Sequence, residues 1–70
     1  MTTSLYSAFK ADLDRTVEAG LATSDRIDAW DAVNTVWAVF DAHGGYGAWK
    51  DAASEASIAL YRHATSIDAA

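Results

Sequence analysis

The stretch IDAWDAVNTVWAVFDA, residues 27–42, decides the fold of this 70-residue chain. Its large apolar side chains recur at steps of three and four, the spacing of one helix face; they are Ile27, Trp30, Val33, Val36, Trp37 and Phe40. Ala29, Ala32 and Val39 widen this apolar arc to about half of the helix circumference. Other parts of the chain must cover so wide an arc, so we expect this helix to anchor the core.

A first amphipathic helix is predicted ahead of this central helix, from about residue 4 to residue 19. Thr3 or Ser4 is placed to cap its first turn. Gly20 is placed to end it in the left-handed conformation. One face of this helix is apolar or weakly polar and consists of Leu5, Tyr6, Phe9, Leu13, Thr16 and Val17.

The central helix itself is predicted over residues 24–43, with Thr23 or Ser24 as its N-cap and two glycines after its end. A third helix is predicted over residues 47–67. Its inner stripe consists of Trp49, Ala53, Ala56, Leu60 and Ile67. The last residues, 68–70, are expected to fray.

The pattern favours helices throughout. No stretch alternates apolar and polar residues between turn signals, and the chain has no Pro. Short connections between helices predict antiparallel neighbours. We therefore predict a single all-α domain over residues 1–70, a small compact three-helix bundle with the second helix at its centre. The alternative is a helical hairpin that dimerises into a four-helix bundle.

Composition excludes several classes of protein. A hydrophobic content of 51% is too high for a disordered chain. No apolar run approaches the roughly 20 residues that a membrane span needs, and without Cys there is no disulfide. The opening MTTSLYSAFKADLDR lacks the basic and apolar regions of a signal peptide. We therefore expect a cytoplasmic protein, in a bacterium or, for a phage-encoded chain, in the host cytoplasm.

The formal net charge is −5, from ten Asp and Glu against five Lys and Arg. Nucleic acids and anionic lipids are bound by basic patches, so this balance argues against direct binding of either. It fits a protein partner whose surface is basic, such as a nucleic-acid-binding protein. It also fits a chain that carries charge only for solubility.

No pattern of residues indicates catalysis, a cofactor or a metal. His43 and His63 do not have the spacing of zinc ligands, alone or with Asp41. The glycine-rich segment 43–47 lacks the preceding strand and the Gly-Lys-Ser/Thr of a phosphate-binding loop. A bundle of this size also has little room for a substrate pocket. We expect no enzyme activity.

The two Trp residues of the central helix lie beside polar side chains. Asn34 and Asp41 are seven residues apart and share a line next to Trp30 and Trp37. One interpretation is structural, with these polar groups bonded to the indole N–H or to nearby backbone. The other is an interface stripe, because Trp is enriched among interface hot spots.

Three other side chains are candidates for contact with a partner. Ile58 lies in the middle of the polar face of the third helix, and Tyr61 flanks it. A single exposed apolar residue is normal, whereas a pair indicates a contact patch. Tyr46 lies among glycines, so its ring either packs on the core or is offered to a partner.

Asp25, Asp28 and Asp31 form an acidic row at the start of the central helix. Neighbours in such a row are about 5–6 Å apart, close to the spacing of nucleic-acid phosphates. Phage anti-restriction and anti-CRISPR inhibitors include proteins of this size and charge, a comparison by class alone.

We therefore predict that the chain acts by stoichiometric protein–protein binding. In its sharpest form, this prediction makes the chain an inhibitor of a nucleic-acid-binding partner. The alternative is a self-associating structural bundle, a homodimer joined through the second helix.

Overall fold

Three α-helices account for most of the described chain, which confirms the predicted three-helix bundle. A computed structural model describes residues 4–69. Helix α1 is Leu5–Ala22, α2 is Arg26–Ala42 and α3 is Lys50–Ala69, with a 3₁₀ turn at Gly47–Trp49 just before α3. Helix α2 packs extensively on both other helices, while α1 and α3 contact each other least. The central position predicted for the second helix is therefore confirmed.

The core lies where the three helices meet. Its large side chains that are shielded from solvent are Phe9, Leu13, Val36 and Leu60. Buried alanines fill the space between the helices: Ala29, Ala32, Ala53, Ala56 and Ala64. Larger rings pack against this cluster from its edge and stay partly buried: Trp37, Phe40 and Trp49. Small residues thus let the helices approach closely, and the rings close the sides.

Three residues predicted on apolar helix faces are exposed instead, and Tyr6 is one of them, at 41% exposure. Ile27 and Leu5 each expose 69% of their surface. Helix α2 presents Ala29 to the core, and Ile27 is two residues away, which turns it by about 200° toward solvent. Leu5 is the first residue of α1, where the helix has only begun.

Helix α1 begins as predicted but ends later. Ser4 is its N-cap, and the Ser4 hydroxyl accepts a hydrogen bond from the Ser7 N–H at 3.0 Å. Thr3, the other candidate cap, lies outside the described residues. The prediction that Gly20 ends the helix is wrong, because α1 continues to Ala22.

Gly20 is a packing residue rather than a helix terminator. It is buried inside α1, where a Cβ would lie 2.7 Å from the Ala32 Cβ and closer still to the Leu60 side chain. All three helices therefore meet at this point with no room for a side chain on Gly20.

The N-cap of helix α2 lies after both predicted caps, one residue beyond Ser24 and two beyond Thr23. Asp25 is the N-cap, and its carboxylate accepts from the Asp28 N–H at 3.0 Å. The Thr23 hydroxyl instead accepts from the Asp25 N–H at 3.1 Å, which shapes the turn before the cap. The predicted end is correct, because Gly44 and Gly45 take φ values of 107° and 63° directly after the His43 C-cap.

Helix α3 is ordered further than predicted. It extends to Ala69, and Asp68 bonds to side chains of α2, so the expected fraying of Asp68 and Ala69 is wrong. Ala70 lies outside the described residues.

Candidate functional site

The structure places the eight predicted partner-binding residues in three separate locations. Helix α2 divides them, because its two flanks face different neighbours. Four belong to α2 and α3: Trp30 and Trp37 on the flank of α2 toward α3, and Ile58 and Tyr61 on α3 itself. Three lie at the start of α2 or on the flank that faces α1: Asp25, Asp28 and Asp31. Tyr46 lies apart, in the loop between α2 and α3.

The first location is an outer surface of α2 and α3 that we call the aromatic face, made of Trp30, Trp37, Ile58 and Tyr61. The Trp30 and Tyr61 rings meet edge to face, with centroids 5.4 Å apart and planes at 78°. Ile58 lies one turn before Tyr61 on α3. Ile58 and Tyr61 expose 51% and 52% of their surfaces. The prediction that these two apolar residues are exposed together is confirmed.

Trp37 extends the aromatic face along α2. It lies seven residues, or two helical turns, beyond Trp30 and therefore on the same side of α2. Its ring meets Phe40 edge to face at 5.9 Å and is partly buried against the core. Trp37 thus joins the surface to the core, whereas Ile58 and Tyr61 extend into solvent.

The indole of Trp30 is held by a residue that sequence reasoning missed. Its Nε1–H donates to the Asp68 Oδ2 at 3.0 Å, and the Asp68 Oδ1 accepts from Arg26 Nε at 2.5 Å. The predicted partners, Asn34 and Asp41, are exposed and make no side-chain hydrogen bond with the indole. The interpretation that Asn34 or Asp41 bonds to the Trp30 indole is therefore wrong, because the acceptor is Asp68 from α3.

The second location is a groove between α1 and α2 that we call the acidic groove. Its volume is about 610 Å³. Small and β-branched side chains, three carboxylates and one guanidinium line it: Asp12, Arg15, Thr16, Ala19, Gly20, Thr23, Asp28, Asp31, Ala32, Thr35 and Val39. Two of the three predicted acidic residues, Asp28 and Asp31, therefore share this groove, while the Asp25 carboxylate caps α2.

Asp12 occupies one end of the acidic groove and is already paired. Its carboxylate forms an ion pair with Arg15 one turn along α1. Its other oxygen lies 2.7 Å from Nε2 of His43, the C-cap of α2. This contact joins the middle of α1 to the end of α2 and accounts for the position of His43.

The third location is the loop at the opposite end of α2 from the acidic row. The Tyr46 ring meets Trp49 edge to face at 4.8 Å and still exposes 49% of its surface. It also lies against Gly44, where a Cβ would come within 2.7 Å of the tyrosine ring. The Tyr46 ring thus packs on Trp49 with one part and faces solvent with the other. The two predicted positions, on the core or open to a partner, each describe part of the ring.

The two histidines lie at different ends of the bundle. His63 Nε2 donates to the Thr23 carbonyl at 2.7 Å, which ties α3 to the turn before α2, while His43 contacts Asp12. Within residues 4–69, no group of three or more His, Asp and Glu side chains is placed to hold a metal ion. Each imidazole therefore has a structural role: His43 links α2 to α1, and His63 links α3 to the turn before α2.

The Lys10–Asp14 ion pair on α1 shifts the pKa of its lysine. The hydrogen bond and charge of the Asp14 carboxylate, 2.8 Å away, raise the pKa of Lys10 above its usual value of 10.5. Both side chains are exposed, and neither lines the acidic groove. The ion pair supports α1 and does not belong to either surface.

Comparison with known proteins adds no relative to this description. The chain matches no protein-family model, and neither the curated proteins nor the solved structures give a significant match. None of the helices within residues 4–69 combines the length and the hydropathy needed to cross a bilayer.

Proposed function

We propose that this protein acts by stoichiometric binding of another protein through the aromatic face. The observation that carries the proposal is the Trp30–Tyr61 ring pair on the outside of the bundle, with Ile58 beside it. Trp and Tyr are the residues most enriched among interface hot spots, because each covers a large area with few rotatable bonds. Trp30, Ile58 and Tyr61 lie outside the core cluster, so a partner can cover them without changing the core.

The aromatic face is also prepared for binding. The Asp68 carboxylate fixes the Trp30 indole, and the edge-to-face contact fixes the Trp30 and Tyr61 rings against each other. Side chains that are already ordered lose less conformational entropy when a partner covers them. The four residues of the face are uncharged, and the Asp68 carboxylate that adjoins Trp30 is paired with Arg26, so covering the face does not bury an unpaired ion.

The proposal is tested by comparing two double variants in affinity purification from the native cell extract. The variant Ile58→Gln with Tyr61→Gln removes two half-exposed apolar side chains from the aromatic face. The variant Leu5→Gln with Leu21→Gln removes two exposed apolar side chains from α1, at 69% and 47% exposure, and is the matched control. We expect the first variant to lose the partner and the control to keep it. Equal recovery by both variants would contradict the proposal, provided that both melt near the temperature of the unchanged chain.

In a sharper version of this proposal, the partner is a nucleic-acid-binding protein and this chain inhibits it. The net charge of −5 supports this version, together with Asp28 and Asp31, which form no ion pair with any residue among 4–69. Changing Asp25, Asp28 and Asp31 together to Asn tests it, because Asn replaces Asp well as an N-cap and should preserve α2. Loss of partner binding with an unchanged melting temperature is expected, and unchanged affinity would refute this version.

A second candidate function is self-association, which the same face favours by its lack of charge. Two copies that each carry −5 can meet through an uncharged surface without bringing carboxylates together. Sedimentation of the purified chain at micromolar concentration separates the candidates. A dimer that the Ile58→Gln, Tyr61→Gln variant dissociates would establish self-association, and a monomer would exclude it.

A further inference from the structure

The acidic groove has a shape and a charge distribution that the aromatic face does not share. It runs along α1 from Asp12 to Thr23 and along α2 from Val39 to Asp28. Each of these spans covers twelve residues. The eleven steps between their ends, at about 1.5 Å each, make the groove about 16 Å long, or three helical turns. It lies on the opposite flank of α2 from Trp30 and Tyr61, so a partner seated on the aromatic face leaves it open.

The floor of the groove is apolar and narrow. Gly20 and Ala32 are buried there, and the absence of a side chain on Gly20 lets α1 and α2 approach closely. Ala19 and Val39 extend the apolar lining. The lining holds no aromatic ring, so the methylene stems of long side chains can lie along its apolar floor.

The charge of the groove is uneven along its length. At one end, Asp12 is paired with Arg15 and lies against His43. At the other end, Asp28 and Asp31 are three residues apart on one side of α2, and neither forms an ion pair or a side-chain hydrogen bond within residues 4–69. Two uncompensated carboxylates therefore stand at the Thr23 end, beside an apolar floor.

An apolar stem that ends in a cation complements this arrangement. Lys and Arg side chains pack their methylene groups on apolar surfaces while their charged heads reach toward carboxylates. A divalent metal ion fits poorly, since it needs about six to eight oxygen ligands and no third acidic or imidazole group joins Asp28 and Asp31 within residues 4–69. Nucleic acid and anionic lipid carry the same sign of charge as the groove.

We propose that the acidic groove binds a basic helical segment of a partner protein, about three turns long. Its Lys or Arg stems lie on the floor at Ala19 and Ala32, and its cations meet Asp28 and Asp31. This inference rests on the sharper version of the proposed function, which already assigns Asp28 and Asp31 to a basic partner, and it adds the shape and chemistry of the segment that they bind. It holds or fails independently of what the aromatic face binds.

Amide NMR of the whole chain tests the inference with a synthetic probe. The probe is an amphipathic helical peptide of about three turns with Arg along one face, and the control probe has each Arg replaced by Gln. We expect saturable shifts confined to the groove, at Thr16, Ala19, Ala32 and Thr35, with the Arg peptide and none with the Gln peptide. No saturable shift, or shifts centred on Tyr61, would overturn the proposal.

Two charge-matched variants show whether position or net charge decides binding. Asp28→Asn with Asp31→Asn removes the groove carboxylates, and Glu18→Gln with Asp51→Asn removes two exposed acids elsewhere. We expect about tenfold weaker binding of the Arg peptide by the first variant, and less than about twofold weakening by the second. Equal weakening by both would show attraction to net charge alone and would overturn the proposal.

A third variant fills the groove and leaves its charge unchanged. Ala19 is exposed on α1 and lines the floor, and Leu is a good helix former, so Ala19→Leu is expected to fold. The added side chain should occupy the place of an Arg stem and weaken the peptide by about tenfold. Unchanged affinity of a folded Ala19→Leu variant would overturn the claim that the stem lies on the floor.

Discussion

The two flanks of helix α2 differ in both size and charge of their side chains. Toward α3, α2 carries Trp30 and Trp37, and rings fill the crevice between the helices. Toward α1, it carries Asp28, Asp31 and Ala32, and the crevice stays open as a groove. On the α1 side, Gly20 has no side chain of its own, and only the Ala32 Cβ and the Leu60 side chain lie against it. One helix thereby presents two surfaces of opposite chemistry.

This difference explains why large rings and carboxylates lie on opposite sides of α2 without disturbing the core. The core positions of α2 are occupied by Ala29, Ala32 and Val36, which are small enough for α1 and α3 to cover together. The larger side chains are left to the flanks. The following predictions test that division, from the largest expected effect to the smallest.

The close approach at Gly20 should be the most sensitive point. We expect Gly20→Ala to lower the free energy of unfolding by about 1–3 kcal/mol, because the new Cβ meets the Ala32 Cβ and the Leu60 side chain. The loss should appear although Ala favours helix over Gly by about 1 kcal/mol. Urea unfolding measures the net change in the free energy of unfolding, which combines the steric loss and the gain in helix propensity.

Gly47→Ala is the matched control for this prediction. A Cβ at Gly47 meets nothing within 4 Å, and its φ is not positive. We expect no loss, or a gain of about 0.4–1 kcal/mol from the reduced entropy of the unfolded chain. An equal loss of stability in Gly20→Ala and Gly47→Ala would contradict the claim that Gly20 is tightly packed and Gly47 is not.

Removal of the Asp68 carboxylate that holds the Trp30 indole should have an intermediate effect on stability. Asp68→Asn weakens an acceptor that serves both the Trp30 indole and Arg26, so we expect a loss of about 1 kcal/mol and a shift in Trp fluorescence. Asp41→Asn is the control, since Asp41 is exposed near the C-terminus of α2, where negative charge is slightly unfavourable. If the Asp41 variant instead moves the fluorescence and the Asp68 variant does not, the assignment of the indole partner is wrong.

The ion pair on α1 should have the smallest effect, because it touches neither flank of α2. Asp14→Asn is expected to lower the pKa of Lys10 toward its usual value and to reduce stability by at most about 0.2–0.5 kcal/mol. Because the pKa of Lys10 is higher in the folded chain than in the unfolded chain, the ion pair stabilises the fold while Lys10 is protonated. This stabilisation is present at neutral pH and is lost only as the pH rises above 10.5. NMR titration of the Lys10 side chain checks the direction, and an unchanged pKa in the variant would contradict it.

The sequence predicted the fold well because its strongest signals are local. The three-and-four spacing of residues 27–42 and the glycine pair after His43 act within one helix and its turn. The end of α1 was mispredicted because Gly20 is needed for close contact with Ala32 and Leu60. These residues lie on other helices, so no local sequence pattern reveals the contact. The cap of α2 fell on Asp25 because several capping residues follow one another in this turn.

The candidate surfaces were predicted only in part. Ile58 and Tyr61 stood out as apolar residues on a polar face, which is a local signal. That Trp30 joins them, that Asp68 fixes its indole, and that Asp12 shares a groove with Asp28 all depend on how the helices are rotated about their axes. Residues 38 apart in sequence, such as Trp30 and Asp68, carry no spacing that would reveal their contact.

Two tyrosines of nearly equal exposure provide the most direct test of the proposed binding surface. Tyr61 on the aromatic face exposes 52% of its surface and Tyr46 in the far loop exposes 49%, so free protein should be oxidised by hydroxyl radicals to similar extents at both. The measurement is the oxidation of each ring in the free chain and in its purified complex with the partner. Binding through the aromatic face predicts that Tyr61 is protected in the complex while Tyr46 is not. Protection of Tyr46 with Tyr61 still fully reactive would contradict it.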